Sequence, residues 1–117
     1  MSSLNEIQAE IGVWHKSKFP EERYGDTHID WHVSRKVLEE AKELLEAENE
    51  IDVASEAADV AIALMALCSR MDINLEEVIA AKMQINEKRV WIWDGDRYSR
   101  QTRKYFSRFS LLFGSGY

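Results

Sequence analysis

The sequence has few of the residues that build turns, disulfide bonds and membrane spans. Five glycines and one proline among 117 residues favour long helices over the many tight turns of an all-β protein. The single cysteine, Cys68, excludes an internal disulfide framework and suits a reducing compartment. No apolar run is long enough to span a bilayer, and the N-terminal segment lacks the basic and apolar regions of an export signal. We therefore predict a cytoplasmic, all-α protein that does not enter a membrane.

Charge is distributed unevenly along the chain, because residues 97–117 carry five basic side chains and no acidic one. The whole chain has a formal charge of −6, and because residues 97–117 contribute +5, the residues before them together carry −11. Such an acidic body repels a phosphate backbone, which argues against nucleic-acid binding. The same negative charge suits a protein that binds divalent cations.

Apolar residues recur at helical spacing in four segments. We predict helices at residues 4–18, from about 27 to 48, at 52–70, and from residue 75 onwards. Thr27 or Asp30 can cap the second helix, and Asp52 is expected to cap the third. Asn74 and Glu77 form the pattern of a capping box at the start of the fourth. The expected fold is a four-helix-bundle-like domain in residues 1–93, followed by a basic, aromatic extension at 94–117 that is either a fifth helix or a poorly ordered tail.

The third predicted helix carries only two charged side chains between its ends, Glu56 and Asp59. A helix that is apolar almost all round is typical of a bundle centre, so we expect the other helices to enclose it. Because Glu56 and Asp59 stand three residues apart, their side chains project the same way. Two acids in a dry setting must be protonated, paired with cations or bound to a metal.

A second pair of acids at the same spacing, Glu40 and Glu43, lies on the second predicted helix. The connection to the third helix is short, so the two helices are expected to be neighbours and the four carboxylates can converge. Oxygen ligands on rigid helices suit Mg²⁺, with Mn²⁺ as a possible substitute, better than zinc. The alternative interpretation is an ordinary solvated acidic surface, which is common on helices.

The fourth predicted helix changes character along one face. Its apolar stripe begins at Leu75 and continues, at helical spacing, into Lys82, Asn86 and Arg89, here called the basic stripe. This pattern favours a helix whose far half faces an anionic group, and the alternative is a helix end that emerges into water. The chain has no Gly-rich phosphate loop of the Walker type, so any phosphate must be bound by side chains and metal.

The three motifs together resemble a known family. Their pattern is Glu39-Glu40-x-x-Glu43, then Glu56-x-x-Asp59, then Lys82-x-x-x-Asn86-x-x-Arg89 followed by tryptophan. In this order and spacing it resembles the MazG-like, all-α nucleoside triphosphate pyrophosphohydrolases, over about residues 30–93.

The resemblance implies a hydrolase that cleaves nucleoside triphosphates between the α and β phosphates, giving a monophosphate and pyrophosphate. It implies that Glu40, Glu43, Glu56 and Asp59 are the Mg²⁺ ligands and belong to the catalytic set. Glu39 completes that set by orienting water or a ligand, and the basic stripe binds the phosphates.

Other features leave alternatives open. Trp14, Trp31 and His32 are candidates to contact the nucleobase, although a tryptophan on an amphipathic helix is more often part of the core. Phosphoribosyl-ATP pyrophosphohydrolases share the carboxylate pattern and are the first alternative. The second alternative is a helical interaction module without enzymatic activity. A di-iron carboxylate bundle is excluded because the chain has no Glu-x-x-His ligand pairs. Apolar surface left on the first two helices and the tail predicts a homodimer or homotetramer.

Overall fold

The computed structural model describes residues 2–19 and 32–100. Helix α1 spans Leu4–Lys18, as the apolar spacing predicts. It begins with a capping box in which the Ser3 side chain accepts from the Glu6 backbone and the Glu6 carboxylate accepts from the Ser3 backbone. None of the helices in the described residues is long and apolar enough to cross a membrane.

The second predicted helix starts irregularly and ends early. Residues Val33–Val37 form a π-helical turn, in which the Leu38 N–H donates to the Val33 carbonyl five residues back. The α-helical part, α2, spans Leu38–Leu45, so the helix stops about three residues before Glu48, its predicted end. The caps predicted at Thr27 and Asp30 lie outside the described residues.

Helix α3 spans Glu50–Arg70, and its cap is Asn49 rather than Asp52. The Asn49 side chain accepts a hydrogen bond of 2.9 Å from the Asp52 backbone N–H, which places Asp52 inside the first turn. The prediction of Asp52 as the cap was therefore wrong, because asparagine and aspartate are nearly equivalent caps and the sequence did not choose between them. Helix α4 spans Leu75–Lys88 and begins directly after Asn74, as predicted.

The chain divides into two compact units, Met1–Leu75 and Glu76–Tyr117. In the first unit, α1 and α2 both pack against α3. Helix α1 approaches α3 closely at Gly12, where a Cβ atom would overlap the Ser69 hydroxyl. The buried Gln8 side chain donates to the Ile73 carbonyl at 2.7 Å and accepts from the Leu75 N–H at 3.2 Å.

The expectation that α3 is enclosed was wrong for the single chain. Of its residues only Ala66 and Arg70 are buried, and Ile51 is 81% exposed. Helices α1 and α2 cover part of the circumference of α3 and leave large apolar side chains such as Val53 and Leu64 in contact with solvent.

The second unit contains a β-hairpin that the sequence did not predict. Strand β1 (Trp91–Trp93) pairs antiparallel with β2 (Tyr98–Arg100), with Trp93 opposite Tyr98. The turn is held by the Asp94 carboxylate, which accepts from the backbone N–H groups of Asp96 and Arg97, and Gly95 supplies the positive φ of 100°. Of the two alternatives for the extension at 94–117, the fifth helix was therefore wrong for residues 98–100. Residues 101–117 lie outside the described part. The predicted domain boundary at 93/94 stays a prediction, and the hairpin pairs residues on both sides of it.

Candidate functional site

Four carboxylates meet where α2 and α3 face each other. They belong to Glu40 and Glu43 on α2 and to Glu56 and Asp59 on α3, and together are called the carboxylate cluster. One oxygen of each side chain lies within 4.8 Å of the others. The i, i+3 spacing predicted each pair, and the packing of α2 on α3 brings the pairs together.

The carboxylate cluster disfavours full ionisation on its own. Burial raises the pKa of Glu40, and the hydrogen bond with Glu43 and the neighbouring negative charges raise it further. Burial also raises the pKa of Glu56, followed by the charges of Glu43 and Asp59. Within residues 2–19 and 32–100, the buried Glu56 Oε2 atom has no hydrogen-bond partner. A bound cation would offset the repulsion among the carboxylates and would give Glu56 Oε2 a partner. The four carboxylates therefore fit a hard divalent metal.

The carboxylate cluster is more open than the sequence predicted. Asp59 and Glu43 are exposed, whereas Glu40 and Glu56 are half-buried. The buried setting expected for Asp59 was therefore wrong, for the same reason that α3 is not enclosed. Glu39 is also exposed on α2 and lies outside the carboxylate cluster. This geometry leaves one side of the carboxylate cluster accessible to a substrate.

A cavity of about 330 Å³ adjoins the carboxylate cluster within the first unit. Its lining includes two of the carboxylates and four rings, from Glu40, Asp59, Trp14, His15, Phe19 and His32. The structure therefore brings two of the candidate base-contacting residues, Trp14 and His32, to the same cavity as the metal candidates. The third, Trp31, lies outside the described residues. An apolar cavity with a few polar groups is typical of a small-molecule site.

His15, which lines this cavity, forms a polar pair with Arg70 that sequence reasoning missed. Arg70 Nε donates to His15 Nδ1 at 2.9 Å, and Arg70 Nη2 donates to the Phe19 carbonyl at 2.6 Å. Burial and the charge of Arg70 lower the pKa of His15 to about 4. An arginine at the end of an apolar helix was the one available signal, but its partner lies 55 residues away in the sequence.

The basic stripe belongs to the second unit. Arg89 is only 6% exposed, and its Nη1 donates to the Asn86 side-chain oxygen at 3.0 Å. Its Nε and Nη2 atoms are buried without a hydrogen-bond partner in the part of the chain that the structure describes. Burial lowers the pKa of Lys82, and the charges of Arg89 and Arg100 lower it further. The alternative that this helix end emerges into water is therefore wrong for Arg89.

Known proteins resemble this chain over most of its length. The family model of phosphoribosyl-ATP pyrophosphohydrolase matches residues 9–86. A protein from cyanophage S-2L named dATP/dGTP diphosphohydrolase is 34% identical over 90 residues, covering 77% of this chain and 79% of that protein. A protein of the same name from Salmonella phage PMBT28 is 32% identical over 90 residues, covering 76% of this chain and 28% of the relative.

A solved structure extends the likeness to three dimensions. The cyanophage S-2L MazG-like pyrophosphohydrolase, bound to dGDP and three catalytic Mn²⁺ ions per active site, superposes with a TM-score of 0.69 at 27% identity. The match covers 86% of this chain and 95% of that one. The chain therefore belongs to the phosphoribosyl-ATP pyrophosphohydrolase family, as a MazG-like, all-α hydrolase of nucleotide pyrophosphate bonds.

Proposed function

We propose that this chain hydrolyses purine deoxynucleoside triphosphates to the monophosphate and pyrophosphate, with Mg²⁺ in the carboxylate cluster and Mn²⁺ as a substitute. The observation that carries the proposal is the carboxylate cluster itself, four carboxylates within 4.8 Å beside a cavity with aromatic walls. The purine preference is supported by the names of two relatives, each called a dATP/dGTP diphosphohydrolase.

The metal-binding residues of the proposal are Glu40, Glu43, Glu56 and Asp59. Divalent cations at such a site would neutralise phosphate charge and lower the pKa of a water molecule. The chain's own contribution is to hold four oxygens in place on two packed helices, so that little reorganisation is needed when the substrate arrives. Glu39 is exposed and directly precedes Glu40 in the sequence. We assign to it the role of orienting the attacking water.

The proton of that water needs an acceptor. Glu40 and Glu56 both have raised pKa values in the metal-free chain, because each is partly buried among other acids. With metal bound, the base is proposed to be a carboxylate of the carboxylate cluster that the metal does not saturate.

The basic stripe is proposed to bind the phosphates. Arg89 has two buried N–H-bearing atoms without partners in the described residues, and a guanidinium is always protonated. Such donors match phosphate oxygens in two-pronged contacts. Asn86 holds Arg89 in place through its side-chain oxygen, and Lys82 adds a point charge.

The nucleobase is proposed to occupy the cavity lined by Trp14 and His32. Trp31, which lies outside the described residues, stays a candidate from the sequence alone. Trp14 and Phe19 meet edge to face, with ring centroids 5.8 Å apart, and form an apolar wall. The cavity shares Asp59 and Glu40 with the carboxylate cluster, so a base bound there would have its phosphates close to the metal ligands.

The test is a product analysis with Mg²⁺ and a panel of ribo- and deoxyribonucleoside triphosphates. Monophosphate with pyrophosphate supports the proposal, whereas diphosphate with phosphate, or no product, contradicts it. Glu76→Gln is a matched control, because it removes an exposed helical acid outside the carboxylate cluster. Phosphoribosyl-ATP belongs in the same panel, since the family model carries that substrate's name.

We also propose that the chain works as a cytoplasmic homo-oligomer, a dimer or a tetramer, without nucleic-acid or membrane partners. Large apolar side chains are exposed on α2 and α3, including Leu45 at 85% and Ile51 at 81%. Large apolar side chains left exposed in this way are typical of an interface. Sedimentation at micromolar concentration tests the proposal, and a single species of 13.6 kDa would contradict it.

A further inference from the structure

Lys36 places a positive charge in the wall of the cavity that adjoins the carboxylate cluster. The side chain is half-buried and lines the cavity together with Glu40 and Asp59. Its Nζ atom lies 5.8 Å from the centroid of the Phe19 ring, within the range of a cation–π contact. Glu40 follows about one helical turn later in the chain. The ammonium group of Lys36 therefore lies where the aromatic wall gives way to the metal-ligand candidates.

The charge of Lys36 is not used by the carboxylate cluster. In the part of the chain that the structure describes, Lys36 makes no ion pair or hydrogen bond, and its contact is with the Phe19 ring. Burial and then neighbouring acids raise the pKa of Glu40. At the other wall, burial and three neighbouring positive charges, one of them that of Lys36, lower the pKa of His15 to about 4. The three N–H donors of the ammonium group thus face the cavity region without an anionic partner among the described residues.

The backbone around Lys36 is also unusual. Lys36 belongs to the π-helical turn Val33–Val37, which leads into α2. Such turns are rare, occur mostly as single turns within α-helices and are frequent at functional sites. The next basic side chain, Arg35, lies in the same turn but is exposed and is not part of the cavity lining. The position of Lys36 in the cavity is therefore not shared by its basic neighbour.

The order of groups in a nucleotide matches the order of groups along the cavity. The base is followed by the sugar and then by the α, β and γ phosphates. With the base against Trp14 and His32, and the phosphates directed to the carboxylate cluster, the α-phosphate is the first anionic group along the substrate. It would reach the border at which Lys36 lies. An ammonium N–H donates a charge-assisted hydrogen bond to a phosphate oxygen.

We infer that Lys36 is a phosphate-binding residue, whose ammonium group donates to the α-phosphate of the nucleotide, the phosphate that stays on the monophosphate product. This inference rests on the proposed function, because it takes the base to occupy the cavity and metal to occupy the carboxylate cluster. It adds to that function a residue outside the sequence-predicted set and assigns this residue to one phosphate.

The experiment measures binding, so that it does not depend on turnover. Calorimetry with Mg²⁺ compares dGMP with deoxyguanosine, which differs from it only by the α-phosphate. In Lys36→Met the unbranched stem stays against Phe19 and the charge is lost. We expect this variant to bind dGMP about 10- to 100-fold more weakly than the wild type, as for the loss of a hydrogen bond to a charged group, and deoxyguanosine about equally. Equal dGMP affinities in the two proteins, an equal loss for both ligands, or a wild type that does not bind dGMP would overturn the inference.

Two further variants control for charge and for folding. Lys42→Met removes the same charge from an exposed position of α2 outside the cavity lining, and we expect it to leave both affinities unchanged. A loss of dGMP affinity in Lys42→Met as large as that in Lys36→Met would show a general field effect and refute the assignment. Lys36→Arg keeps a cation at the site and should retain the preference for dGMP over deoxyguanosine, whether or not Lys36→Met folds. If Lys36→Arg has no such preference, the inference is wrong.

A diphosphate shows which phosphate Lys36 contacts. Lys36→Met should weaken the binding of dGMP and dGDP by the same factor, because both carry the α-phosphate. A loss for dGDP with unchanged dGMP affinity would place Lys36 at an outer phosphate and refute the assignment. Hydrolysis of dGTP is a separate measurement. A chain that binds dGMP through Lys36 but releases no pyrophosphate contradicts the proposed function alone, whereas pyrophosphate release with unchanged dGMP affinity in Lys36→Met contradicts this inference alone.

Discussion

The buried His15 should make the stability of this protein depend on pH in a defined window. Protonation would place a charge in a site where the residue is only 5% exposed, next to the Arg70 guanidinium. It would also turn Nδ1 from an acceptor into a donor and so break the hydrogen bond from Arg70. The folded state therefore resists protonation, while the unfolded chain does not.

The magnitude follows from the two pKa values of His15. The unfolded value is 6.5 and the folded value about 4, so between them the unfolded chain binds more protons. Stability is fully present above pH 6.5 and is lost as the pH falls towards 4. At about 1.4 kcal/mol per pH unit, the loss attributable to His15 approaches about 3 kcal/mol.

The assay is urea denaturation of metal-free protein, followed by tryptophan fluorescence at several pH values between 6.5 and 4. His15→Asn is the reference, because asparagine can accept from Arg70 and does not titrate. Subtracting the two curves removes the opposite contribution of Glu40 and Glu56, whose raised pKa values favour the folded state as the pH falls. If the difference in unfolding free energy changes by less than about 1 kcal/mol across the window, the reasoning about the buried pair is refuted.

Three further substitutions test the site and the packing. Asp59→Asn should abolish Mg²⁺-dependent hydrolysis while the metal-free protein stays as stable or becomes more so, since one of four clustered charges is removed; near wild-type turnover would contradict its role as a ligand. Arg89→Ala should lower kcat/KM by about 10²- to 10³-fold, the typical effect of deleting a preorganised donor, and unchanged kinetics would argue against phosphate binding. Gly12→Ala should lower the melting temperature, because the new Cβ would overlap the Ser69 hydroxyl at an overpacking cost of about 1–3 kcal/mol. A higher melting temperature would show that the better helix propensity of alanine outweighs the overlap.

The helices and the carboxylate pairs were predictable because the interactions behind them are local. The spacing of apolar residues predicted α1 at 4–18, and the structure places it at Leu4–Lys18. The i, i+3 spacing likewise predicted that Glu40 and Glu43, and Glu56 and Asp59, share a helix face. The choice of cap at α3 was less certain, because Asn49 and Asp52 are both favourable and only the backbone path decides between them.

Other features depend on which surfaces meet. Residues 91–100 are too short to show strand periodicity clearly, and the hairpin forms because two three-residue strands pair across the Asp94 turn. The composition of α3 predicted burial, but burial depends on how many neighbours cover a helix, and Ile51 remains 81% exposed. The apolar composition of a helix predicts that its surface tends to be buried, but it does not predict which element buries that surface.

The sequence by itself determined the helical fold class, the positions of most helices and the four metal-ligand candidates, because helical spacing and charge are properties of neighbouring residues. Only the tertiary structure decided that the two carboxylate pairs meet beside a cavity with aromatic walls. It also decided that His15 and Arg70, separated by 55 residues, form a buried pair in which Arg70 Nε donates to His15 Nδ1. Hydrogen-bond direction between distant side chains depends on the packing of α1 against α3, and no local pattern in the sequence encodes it.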